Sequence, residues 1–119
     1  MSATAAQRLA ALAGFLAVVL GAAGAHGFLH DLLSKKGTLE NWRTAVLYHL
    51  VHAGVLLALA QKTPVPRVPF ALLGAGIALF SGSLYALALT NLPWLGPITP
   101  LGGVCLLAGW LALAWKPRG

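Results

Sequence analysis

Four long apolar stretches without a formal charge leave this chain few ways to fold. They run from about Leu9 to Leu29, Thr44 to Ala60, Pro69 to Leu92 and Thr99 to Trp115. At ~1.5 Å per residue each is long enough, or nearly so, to cross a hydrocarbon layer ~30 Å thick. No water reaches the backbone inside that layer, so each stretch must satisfy its own N–H and C=O groups as a helix. Strands of a membrane barrel would alternate apolar and polar residues, and these stretches do not. Hydrophobic residues make up 59% of the 119 residues and charged residues 8%, against about 25% charged in ordinary soluble domains. So few charges cannot cover a water-facing surface. The expected fold is all-α, an integral membrane four-helix antiparallel bundle. It forms a single domain over residues 1–119, with helices at about 9–29, 44–60, 69–92 and 99–115.

The connections carry helix breakers. Lys35, Lys36, Gly37 and Thr38 separate the first two stretches; Pro64, Pro66 and Pro69 the second and third; Pro93, Pro97 and Pro100 the third and fourth. Proline lacks a donor and fixes φ, so helices stop there, and short connections make neighbours antiparallel. The net charge is +6, but the basic residues stand singly or in pairs at segment ends. That pattern suits anionic head groups rather than nucleic acid. Arg8, Lys62, Arg67, Lys116 and Arg118 fall on one side, and Lys35, Lys36 and Arg43, diluted by Asp31 and Glu40, on the other. The bias expects both termini in the cytoplasm, in a bacterial inner membrane. Trp42, Trp94 and Trp115 lie near segment ends, as interfacial anchors would. Arg8, the apolar run after it and Ala23-Gly24-Ala25 have the layout of a secretory signal; the expectation here is a retained helix. Cys105 has no partner for an internal disulfide.

Helices gain little from hydrophobicity when they meet in lipid and need close backbone approach, which small residues permit. Ala13, Ala17, Gly21 and Ala25 recur every four residues, as do Gly74, Ala78 and Gly82; Gly102 and Gly109 stand seven apart. These are the expected seams, between helices of one chain or between two copies.

Polar side chains inside the stretches mark the candidate site. Tyr48, His49 and His52 share one face with Ala45 and Ala53. His26 closes the first stretch, with His30 one turn on. Ser81, Ser83 and Tyr85 lie on the third stretch, and Thr99 opens the fourth. On the four-span topology His26, Tyr48, His49, His52, Ser83, Tyr85 and Thr99 all fall toward the non-cytoplasmic side. They are expected to gather in that leaflet and bond one another inside the protein. Two histidines at i, i+3 plus His26 would supply three nitrogens for a metal, but no acid lies near to orient them, so neither metal nor cofactor is expected. No Ser-His-acid set exists within the membrane, which argues against a hydrolase. The apolar inner halves argue against a transmembrane polar pathway.

Four stretches in order carry a resemblance: Gly21–Gly27; Trp42–Ala53, including Tyr48-His49-Leu50-Val51-His52; Phe80–Thr90, including Ser81-Gly82-Ser83-Leu84-Tyr85; and Gly96–Gly103, followed by Gly109-Trp110. In these the chain resembles the small four-helix membrane family that includes human transmembrane protein 256 and the bacterial YgdD-like proteins. The resemblance implies a multi-pass membrane protein without an established activity. The family pattern often has Gln where this chain has His49, and His30 lies outside it. His26, Tyr48, His52, Ser83 and Tyr85 are therefore the residues the resemblance favours.

The first functional expectation is a small structural or interaction protein that self-associates or joins a membrane complex, with membrane lipids around it. The alternatives are a binding module for a lipid, quinone or other small amphiphile in the non-cytoplasmic leaflet, and a histidine-based metal or redox subunit.

Overall fold

The computed structural model describes residues 1–115; Lys116 and Arg118, counted above toward the topology, lie outside the described residues. Four helical spans, Ala3–Ala25, Leu39–Ala60, Arg67–Thr90 and Pro93–Trp115, are long and apolar enough to cross a membrane. No strand occurs among the described residues.

Helix α1 (Ala3–Ala25) begins six residues before the apolar run does, because Ser2 caps it by accepting the Ala5 N–H at 3.0 Å. It ends where His26 turns extended (φ −137°, ψ 149°) and Gly27 takes φ 71°. The first helix thus stops short of Leu29, and a separate helix α2 (Gly27–Lys36) follows. Gly37, at φ 74°, closes α2 in the left-handed conformation, and the N–H groups of Gly37 and Thr38 return to the carbonyls of Ser34 and Leu33. Lys35 and Lys36 sit in its last turn, where cations complement the helix dipole.

Helix α3 (Leu39–Ala60) starts five residues earlier than the expected Thr44. Glu40 and Arg43 ended the uncharged stretch without ending the helix; they pair across one turn at 3.2 Å on the surface. His49 lies ~15 Å and His52 ~20 Å along the helix from its start.

The third span is continuous but not uniform. Helix α4 (Arg67–Gly76) passes through a π-helical turn (Ile77–Ser81) into α5 (Gly82–Thr90). Asn91, at φ 56°, terminates α5 by donating its N–H to the Leu87 carbonyl. A 3-10 turn (Pro93–Leu95) leads into α6 (Ile98–Trp115).

Each span packs against its predecessor in the opposite direction. The start of α1 meets the end of α3 through Gln7 and Gln61, and Gly24 near the end of α1 meets Trp42 near the start of α3. Thr38 of the α2–α3 connection reaches Ala88 on α5, and Gly76 and Gly109 interlock with Leu106 and Leu73 between α4 and α6. Helix α1 packs on α2 and α3 and approaches neither α4, α5 nor α6. The row of spans therefore stays open, and grooves remain between them.

Two apolar clusters hold the row. One, at the end carrying the N-terminus, joins Ala6 and Ala10 to Leu56, Leu59, Phe70, Leu73, Ile77 and Leu106. The other, at the α2 end, joins Leu33, Trp42 and Ala88, with Leu20, Val46 and Tyr85 against them. The seams are partly those expected. Ala17 is buried, but the α1 face toward α3 is completed by Ala6, Ala10 and Gly24, while Ala25 is exposed. Gly102 and Gly109 are buried. Gly74 is half-buried and Ala78 and Gly82 are exposed; the residue of α4 that receives α6 is Gly76. Trp94 and Trp115 are exposed near span ends, whereas Trp42 is 3% exposed and belongs to the core, not to an interfacial belt.

Candidate functional site

Between the two apolar clusters lies a polar layer centred on α3. His49 is buried, and its Nδ1 is 2.9 Å from the Tyr85 hydroxyl of α5. The Ala13 backbone of α1 is its other polar neighbour. One imidazole therefore touches three of the four spans. Tyr85 in turn sets its ring edge-on to Trp42, centroids 4.8 Å apart, and the Trp42 indole donates to the Leu20 carbonyl of α1 at 2.9 Å.

One turn further along α3, His52 faces α6 instead. Its Nδ1 is 2.7 Å from the Tyr48 carbonyl, and its Nε2 is 3.0 Å from the Trp110 indole nitrogen. A carbonyl only accepts and an indole N–H only donates, so His52 is a neutral imidazole protonated on Nδ1. Both ring nitrogens are thereby used within the protein.

The hydroxyls complete the layer. The Ser81 hydroxyl donates to the Ala45 carbonyl at 2.7 Å, presented there by the π-helical turn. Ser83 donates to the Phe80 carbonyl at 3.1 Å, which leaves Thr99 to donate to Ser83 at 2.6 Å and tie α6 to α5. Thr38 donates to the Ala88 carbonyl at 2.8 Å. Among the described residues, every fully buried side-chain nitrogen and oxygen has a partner.

The structure does not bring His26, His52 and Tyr85 together. His26 is exposed at the break between α1 and α2, and His30 donates to the Gly24 carbonyl that the break frees, at 3.0 Å. His49 and Tyr85 form one pair and His52 and Trp110 another, and the second lies at mid-span rather than toward the α2 end. Tyr48 is 41% exposed, its ring against Phe80. His26 stands apart because the chain breaks at Gly27, and His52 because its ring turns to Trp110 of α6 while Tyr85 of α5 takes His49. Three further contributors, Trp42, Trp110 and Thr38, were not among the candidates. Trp110 carried a signal: a tryptophan inside an apolar span needs an acceptor for its N–H.

Chemically, this layer links helices. No group of three His, Cys, Asp or Glu side chains that could hold a metal exists among the described residues: His49 and His52 face different helices, and His26 is exposed at the α1–α2 break. Interhelical side-chain hydrogen bonds in membranes average ~0.6 kcal/mol and reach ~1.7. A double-mutant cycle with His49→Leu and Tyr85→Phe, read by unfolding in detergent, is expected to give a coupling of about 0.5–1.5 kcal/mol.

Fold and layer together define a small multi-pass helical membrane protein whose polar groups bridge its spans. Residues 20–103, which hold every member of the layer but Trp110 and the Ala13 backbone, match the family model described as "Protein of unknown function (DUF423)". The UPF0382 membrane protein YwdK of Bacillus subtilis is 45% identical over 111 residues, covering 88% of this chain and 89% of its own. A UPF0382 membrane protein of Haemophilus influenzae is 40% identical over 111 residues, 90% and 88% of the two chains. One from Schizosaccharomyces pombe is 39% identical over 115 residues, 88% and 94%. The chain belongs to this family of membrane proteins. No solved structure matches it.

Proposed function

We propose that the protein is a small structural or interaction protein of the membrane that pairs with a second copy of itself. The reading rests on one observation. A groove of about 430 Å³ runs between α1 and the α4–α5 span, lined by Leu9, Ala13 and Leu16 on one wall and Gly74, Ala78 and Gly82 on the other. A Cβ added at Gly74 or Gly82 would meet nothing within 4 Å, whereas Gly76, Gly102 and Gly109 are filled by neighbours. Small residues four apart allow the backbone approach by which helices associate in lipid, and this stripe has no partner within the chain. Membrane lipids cover the other apolar faces. The orientation stays with the charge bias, both termini cytoplasmic in a bacterial inner membrane. The likeness to transmembrane protein 256 and the YgdD-like proteins belongs to the same reading.

The test is the mass of the protein in mild detergent and in nanodiscs. The wild type is expected as a dimer or larger. Gly74→Leu and Gly82→Leu, at positions with room for a side chain, are expected to weaken association at least tenfold without unfolding the monomer. A strictly monomeric wild type in both media would remove the reading.

A further inference from the structure

A second groove, of about 420 Å³, opens between α3, the π-helical turn and α6, and shares no lining residue with the first. Its size lies within the ~300–1,000 Å³ of small-molecule sites. Four rings, those of Tyr48, His52, Phe80 and Trp110, form part of its wall. The Tyr48 ring lies 4.7 Å from that of Phe80 and, nearly parallel at 10°, 6.1 Å from that of His52; the His52 ring stands 5.8 Å from Trp110 at 71°. Pro100 and Leu107 also line it.

Tyr48 is the anomaly. It lies nine residues from the start of α3 and twelve from its end, within the charge-free stretch that begins at Thr44. Its hydroxyl has no hydrogen-bond partner among the described residues, although Tyr48 lines this groove. Neighbouring polar side chains at this depth are satisfied: His49 by Tyr85, His52 by Trp110 and the Tyr48 carbonyl, Ser81 by Ala45. A hydroxyl in hydrocarbon without a partner is disfavoured, because lipid offers it no acceptor. Both nitrogens of His52 are taken, so the phenol is the free donor of the groove.

We propose that this groove binds a lipid-soluble molecule whose flat, carbonyl-bearing ring sits on an apolar tail, the chemistry of a lipid quinone. The ring stacks on the aromatic wall, and a ring carbonyl accepts the Tyr48 O–H. Plain acyl chains would use neither the rings nor the hydroxyl.

The probe is a short-tailed ubiquinone analogue, equilibrated by dialysis between nanodiscs carrying the protein and empty nanodiscs. Wild type is expected to hold a saturable excess approaching one molecule per chain. Tyr48→Phe keeps the ring on Phe80 and removes only the donor; it is expected to weaken binding about tenfold with unchanged thermal stability. Gly82→Leu, in the other groove, is expected to leave binding unchanged, so failure here and failure of self-association are separable. No excess over empty nanodiscs, unaltered binding by Tyr48→Phe, or equal competition from a ringless alkyl ester of the same tail length would each overturn the proposal.

Discussion

Gly102→Ala is expected to destabilise the protein by about 2–4 kcal/mol, more than the usual ~1–3 kcal/mol of overpacking, because the obstacle is backbone rather than a movable side chain. A Cβ at Gly102 would fall on the main chain of Phe80 and Leu79. There α6 crosses the π-helical turn Ile77–Ser81, and neither partner can rotate away. The expected response is separation of α6 from the third span, which also parts Thr99 from Ser83. Denaturation in mixed detergent checks it, with Gly54→Ala and Gly82→Ala as controls. Those two positions have open space for a Cβ, so both controls are expected within about 0.5 kcal/mol of wild type. If Gly102→Ala matched them, the close crossing described here would be wrong.

Trp42→Ala carries the other large effect, a loss of about 3–5 kcal/mol. The indole is buried, fills the α2-end cluster beside Leu33 and Ala88, supports Tyr85 and bonds the Leu20 carbonyl. It also occupies the space where a Cβ at Gly24 would lie. Gly24→Ala alone is therefore expected to cost about 1–3 kcal/mol. In the Trp42→Ala background the same change is expected to cost almost nothing, since the space is then empty. Additive losses in that cycle, read by the same denaturation, would show that Gly24 and Trp42 do not share the site.

Much of this protein was legible without coordinates, for a reason that belongs to the bilayer. Lipid removes every backbone solution but the helix over a span, so charge-free stretches and prolines pointed to four helices, whose ends in the structure lie up to six residues from the stretch ends. That rule does not reach backbone turns or the ends of the spans. At Gly27 a helix broke inside an apolar run, because a backbone turn depends on φ and not on hydrophobicity. At Glu40 and Arg43 a helix continued through charges, because beyond the hydrocarbon water and head groups accept them.

Residue types and four-residue spacings also named most of the polar layer and the small-residue stripes, since a buried hydroxyl or imidazole in lipid must find a partner. They did not say which partner. Facing neighbours depend on helix rotation and on the extra residue of the π-helical turn, and neither follows from a repeat read along one segment.

The sequence by itself determined a four-span helical membrane protein with polar residues in its interior and small residues at its crossings. Only the tertiary structure decided that His49 pairs with Tyr85 while His52 turns to Trp110, that His26 stands apart, and that Gly76 is filled while Gly82 is left open. The physical reason is range. Helix formation in lipid answers to local composition, whereas these pairings join positions 36 to 58 residues apart, whose meeting depends on how all four spans rotate and cross at once.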